Sequence, residues 1–138
     1  MTILVDTGSL IALFDPKDPQ HQHCQAVLQT FNETLMTTIP VLTEAFHLLT
    51  PNSQGADALR KFIVKGGLTL WFFEQETLQL ALQLMETYRD RPMDLADASL
   101  VVAAQTLKIS RIFTIDRNDF AVYRIRVGYQ YKHFEVIS

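Results

Sequence analysis

The feature that most constrains this chain is an alternation. Short strand-like runs at residues 3–5, 35–38, 68–73, 111–115 and 134–137 are separated by stretches whose apolar residues recur every three or four positions. The first run, Ile3-Leu4-Val5, is continuously apolar, as a strand buried on both faces should be. Helical spacing marks residues 10–14, 21–31, 41–49, 56–64, 77–88 and 94–107. The breakers fall between them: Asp15-Pro16 and Asp18-Pro19, then Pro51, then Gly66-Gly67, with Pro40 where a first helical turn tolerates it. The stretch 94–107 is apolar almost all round, so it should lie inside. Strands alternating with helices predict an α/β domain with a mainly parallel sheet.

With 138 residues and no linker or repeat, the chain is expected to form one domain over residues 1–138. A hydrophobic content of 48% excludes a disordered chain, and five Gly, five Pro and one Cys exclude collagen-like and disulfide-stapled scaffolds. Cys24 has no internal bridging partner, which suits a reducing cytosol. The N-terminus lacks a signal-peptide pattern, because Asp6 interrupts the apolar start and no basic residue precedes it. No apolar run approaches the ~18 residues of a membrane span. A cytoplasmic protein is the expectation.

The net charge of −3 argues against bulk nucleic-acid binding. The average hides a bias, since Arg111, Arg117, Arg124, Arg126 and Lys132 outnumber Asp116, Asp119 and Glu135 past residue 110. That segment is either a solvated surface or a modest phosphate-facing patch.

In a parallel sheet, ligands bind beyond the carboxyl ends of the strands. Asp6 immediately follows the first strand and Asp116 ends the fourth. Either could instead be an ordinary turn or helix-cap residue. Asp97 is harder to explain as structure alone. On a helical wheel it lies among Val101 and Ala104, where an ionised carboxylate is costly unless paired or bound to a metal. First-turn placement softens this, with Asp94 as N-cap and Asp97 at the third position. Glu44 sits at the rim of the apolar arc of 41–49, in the first turn after the second strand. Asp6, Glu44, Asp97 and Asp116 could thus gather at one sheet edge. Such carboxylates raise one another's pKa unless a cation neutralises them. Hard oxygen ligands suit Mg²⁺ or Mn²⁺, and the chemistry they support is metal-assisted phosphoryl transfer.

Four motifs then resemble those of PIN-domain nucleases, and among them the VapC-type toxins of toxin–antitoxin pairs. They are Asp6-Thr7-Gly8-Ser9-Leu10, the segment 38–49 with Glu44, the run from Met93 to Leu100 with Asp97, and Thr114-Ile115-Asp116-Arg117-Asn118-Asp119-Phe120. The resemblance covers essentially the whole chain. It implies a three-layer PIN-like α/β fold whose central, mainly parallel five-stranded sheet is flanked by helices. It implies an endoribonuclease for single-stranded RNA, with a metal-activated water attacking phosphorus in line. Asp6 and Asp97 match the principal metal ligands, and Glu44 and Asp116 the acids that complete the pocket. Thr7, Ser9 and Thr114 match hydroxyl positions that hold the carboxylates. Asp119 sits where some relatives carry a further acid, and the acid at the position of Asp94 varies. A cognate antitoxin and a homodimer are the partners it implies.

Other features have plainer readings. His21, His23 and Cys24 lack a second ligand pair at zinc-like spacing. Trp71, Phe72 and Phe73 could stack bases but read as core, and Met85 and Met93 as packing. An aspartyl-phosphate phosphatase would need a second Asp two positions after Asp6, where Gly8 stands. A PIN-like binding module with a silent site is the non-enzymatic alternative.

Overall fold

A computed structural model describes residues 1–138. Its central sheet contains β1 (Thr2–Val5), β2 (Thr34–Thr38), β3 (Leu68–Trp71), β4 (Arg111–Phe113) and β7 (Glu135–Ile137), in the order β3-β2-β1-β4-β7 and all parallel. The helices are α1 (Thr7–Phe14), α2 (His21–Gln29), α3 (Ile39–Leu49), α4 (Gln54–Val64), α5 (Gln75–Thr87), α6 (Leu95–Leu107) and α7 (Arg117–Val122). This is the expected α/β architecture of a parallel five-stranded sheet flanked by helices. No helix is long and apolar enough to cross a membrane.

Burial explains the central elements. Ile3, Leu4 and Val5 are fully buried in β1, the middle strand. In α6 every residue from Ala98 to Ala104 is buried, as an all-round apolar helix requires. Its small alanines and Ser99 leave room for α3, α5 and β2, which pack against it. The chain leaves β1 toward β2 and β3, then returns to β4 on the other side. The order therefore reverses between β1 and β4, the position where open α/β sheets form their ligand crevice.

Two expectations need correction, and one element was not foreseen. The third strand ends at Trp71, on an edge of the sheet, and Phe72 is 61% exposed rather than core. The fourth ends at Phe113, so Asp116 caps a further helix, α7, instead of terminating the strand. Ahead of the last strand runs a hairpin, β5 (Arg124–Val127) with β6 (Gln130–His133), antiparallel through the two-residue turn Gly128-Tyr129. Gly128 has φ +64°, the left-handed region that a Gly-X hairpin turn uses. That dipeptide was its sequence signal, masked because the flanking strands are mostly polar and exposed.

Candidate functional site

The register places the site. Leu4 pairs with Ile112 and Val5 with Phe113, so Asp6 and Thr114 follow side by side at the carboxyl ends of β1 and β4. Asp6 is only 6% exposed. It caps α1 by accepting from the Ser9 amide at 3.0 Å, and the Thr114 hydroxyl donates to its other oxygen. Thr114 Oγ1 in turn accepts from the Asp116 amide at 2.9 Å, so one buried hydroxyl joins two acids. Burial pushes the Asp6 carboxyl above its ordinary pKa, Asp116 pushes the same way, and the hydrogen bonds of Thr114 and Ser9 oppose them.

Asp97 lies in the first turn of α6, which is fixed at its start by two contacts. The Asp94 carboxylate caps it, accepting from the Asp97 amide at 2.8 Å. Ser99 Oγ bonds Thr38 Oγ1 at 2.6 Å, tying the helix to the end of β2. Burial, followed by the charges of Asp94, Asp6 and Asp119, pushes the Asp97 carboxyl up to about 7. The Tyr123 hydroxyl, donating at 3.1 Å, works in the opposite direction. Asp116 caps α7 by accepting from the Asp119 amide at 3.2 Å, and its pKa is raised, chiefly by burial.

The structure thus brings Asp6 within electrostatic reach of both Asp97 and Asp116, with Asp94 and Asp119 near Asp97 and Asp119 also beside Asp116. Glu44 is half-buried and lines a neighbouring groove of about 480 Å³ between α3 and α6, opposite Asp94. Thr7 is buried but makes no hydrogen bond to these acids. Ser9 serves through its amide. Its hydroxyl, wholly buried, lies near enough to help lower the Asp6 pKa but has no partner of good geometry. The His21 ring bonds the Ala12 carbonyl at 2.7 Å, His23 is exposed and Cys24 is buried in the core.

Sequence reasoning missed two residues here. Tyr123 is fully buried and bonds Asp97 from 26 positions away, and Arg91 pairs with Asp119 at 3.0 Å. Neither had a local signal. Arg91 pairs with the outlying Asp119 and its charge also favours ionised Asp116, while Asp6 and Asp97 have no ion-pair partner.

As placed, no three His, Cys, Asp or Glu side chains are close enough together to hold a metal ion. The donor set nevertheless fits a hard divalent cation. It offers carboxylate oxygens that burial and mutual repulsion keep from ionising comfortably, and the unpartnered Ser9 hydroxyl is an oxygen that the protein alone does not satisfy.

Comparison with known proteins agrees with this fold. Ribonuclease VapC26 of Mycobacterium tuberculosis (strain ATCC 25618 / H37Rv) is 26% identical over 125 residues, covering 88% of this chain and 92% of the relative. The crystal structure of Mycobacterium tuberculosis VapC20, a Sarcin-Ricin loop cleaving toxin, shares the fold. Its TM-score is 0.76 at 19% identity, covering 84% of this chain and 91% of that one. A toxin-antitoxin complex from Klebsiella pneumoniae matches with a TM-score of 0.65 at 18% identity, covering 87% and 91%. The PIN domain family model matches residues 3–125. With nearly the whole chain inside that match, the protein belongs to the PIN domain family.

Proposed function

We propose that this chain is a divalent-metal-dependent endoribonuclease that cleaves single-stranded RNA, and that it acts as the toxin of a toxin–antitoxin pair in the cytoplasm. The observation that carries the reading is the pair Asp6, buried, and Asp97, half-buried: burial pushes both carboxyls up, Asp6 adds to the rise at Asp97, and neither makes an ion pair with a cationic side chain. A purely structural pair would be neutralised or replaced, because unpaired buried charge is costly. Asp6, Asp97 and Asp116 would hold Mg²⁺ or Mn²⁺, with Glu44 completing the pocket from the α3 side. When bound, such an ion supplies positive charge to phosphate oxygens and lowers the pKa of a water.

The chain's own residues prepare that site. Thr114 holds Asp6 and the start of α7 together through one hydroxyl. The Ser9 amide fixes one oxygen of Asp6, while Tyr123 orients Asp97 and favours its ionised form. Asp94 and Asp119 add negative charge around the pocket and raise Asp97. Thr7 and Ser9 are buried in the first turn of α1, the helix that Asp6 caps. The relatives support the biological role: one is named a ribonuclease, one a toxin, and one is a complex of toxin with antitoxin. A cognate antitoxin and a homodimeric assembly belong to the same proposal.

The test is RNA cleavage by the full chain, stripped with EDTA and then reloaded with Mn²⁺ or Mg²⁺. Cleavage should vanish on stripping, return on reloading, and stay absent in Asp97→Asn with the fold intact by circular dichroism. Undiminished cleavage by the stripped protein or by Asp97→Asn overturns the proposal. Calorimetric titration with Mn²⁺ separates it from a silent binding module, which would show no heat dependent on Asp6.

A further inference from the structure

The hairpin β5–β6 has a composition unlike the rest of the chain. From Phe120 to Phe134 there is no acidic residue, while Arg124, Arg126, Lys132 and His133 all fall there, in a protein of net charge −3. Its aromatic residues are turned outward: Tyr129 at the turn is 99% exposed and Tyr131 is 67% exposed. Cross-strand pairing sets Arg124 opposite His133 and Arg126 opposite Tyr131, so these four share one face.

That face looks across a cleft of about 190 Å³ toward α5 and α6. The cleft is lined by Gln83, Tyr88, Gln105, Arg124, Arg126 and Tyr131 among others, and no lining residue carries a carboxylate. Several of these groups are already fixed. The Tyr88 hydroxyl accepts from the Arg124 amide at 3.0 Å, and Gln105 accepts from the Arg126 amide at 3.0 Å. Arg124 turns Nη1 to the carbonyls that end α7. Arg126 commits only Nε, to Gly128 at 3.1 Å, and its exposed fork remains free to meet a phosphate.

The cleft is one aromatic layer from the acids. Tyr88 packs edge-on against Tyr123 with centroids 5.1 Å apart, and Tyr123 donates to Asp97. Guanidinium groups beside exposed tyrosines, with carboxylates excluded, are the makings of a single-strand nucleic-acid groove. Arginine neutralises the backbone there while rings stack bases without regard to sequence.

We infer that the cleft between the β5–β6 hairpin and α5 is a binding subsite for single-stranded RNA, with Arg126 on a backbone phosphate and Tyr131 stacked on a base. The subsite rests on the nuclease reading above, and it gives an acidic protein the positive surface its substrate needs outside the carboxylate pocket.

The test is fluorescence anisotropy of a labelled random-sequence single-stranded RNA with the full chain carrying Asp97→Asn, across a salt series. Arg126→Gln should weaken binding severalfold and flatten the log–log salt slope by about 0.7, the loss of one phosphate contact on a single strand. Tyr131→Leu should weaken binding about tenfold with the slope unchanged, because stacking releases no counterions. Lys65→Gln, an exposed cation elsewhere on the surface, controls for net charge. An Arg126→Gln slope no different from that of Lys65→Gln, with Tyr131→Leu at full affinity, overturns the subsite and would mark the hairpin as a surface for protein. Cleavage of the same RNA by the unsubstituted chain is scored separately. Cleavage with unaltered binding in both variants sinks the subsite alone. Weakened binding without any metal-dependent cleavage sinks the nuclease reading alone.

Discussion

The two ends of β4 treat charge in opposite ways. At its start, Arg111 lies between two acids, with Nη1 2.5 Å from Glu33 and Nε 3.9 Å from Glu135 on the paired strand β7. The guanidinium holds the Glu33 carboxyl below its usual range. At the other end, Thr114 joins Asp6 to Asp116 with no cation between them, and both carboxyls are pushed up. The first end is neutralised by the chain itself. The second is offset by the chain only at its rim, where Arg91 pairs with Asp119, and Asp6 keeps no cationic partner, which is the mark of a binding site rather than a structural one.

This contrast can be broken at several points. The largest effect on stability is expected from Asp97→Asn as a function of pH. The Asp97 carboxyl, raised from an ordinary value of 3.8 to about 7, holds its proton more tightly when folded than when unfolded. The native protein therefore loses stability as pH climbs through that window, and the loss is complete above about 7. Asp97→Asn removes it. The variant should match the parent near pH 4 and exceed it at pH 8, by on the order of 2 kcal/mol after solvent screening is allowed for. Thermal melts at the two pH values check this, and Mn²⁺ at pH 8 should stabilise only the parent. An advantage that does not grow with pH refutes the unpaired-charge account.

Thr114→Val comes next. It takes a hydrogen bond from Asp6 and another from the Asp116 amide within a fully buried site. We expect a loss of roughly 1–3 kcal/mol in denaturant unfolding together with slower cleavage. Tyr123→Phe should cost less, about 1 kcal/mol. Without the donor, the Asp97 pKa rises further, so the acidic limb of the pH–rate profile moves to higher pH; a limb that stays in place would detach Tyr123 from the site. The smallest effect on catalysis belongs to Arg111→Met. It should lower the melting temperature by unpairing Glu33 yet leave kcat unaltered, because the two ends of the strand serve different purposes.

Much of the fold was legible because its signals are local. The triplet Ile3-Leu4-Val5 announces a strand buried on both faces, and the apolar girth of residues 95–107 announces an interior helix. The acids Asp6 and Asp97 were legible for the same reason, since a carboxylate stands out against apolar neighbours. The hairpin was not, because β6 is exposed at all four residues and carries no alternation. Phe72 was misplaced in the core, since whether an apolar strand lies at the centre or the edge depends on the order of strands in the sheet. Tyr123 and Arg91 were invisible for a related reason: a hydrogen bond between residues 26 or 28 positions apart leaves no pattern in either segment.

By itself, then, the sequence determined the strands of the central sheet, the six longer helices and which acids are anomalous, because periodicity and burial cost act within a few residues. Tertiary structure alone decided which anomalies meet. Parallel pairing of β1 with β4 set Asp6 beside Thr114, the packing of α6 brought Asp97 within reach of Asp6, and α3 carried Glu44 to the neighbouring groove. Coulomb interactions depend on distance through space, and that distance is fixed only when the strands choose their neighbours.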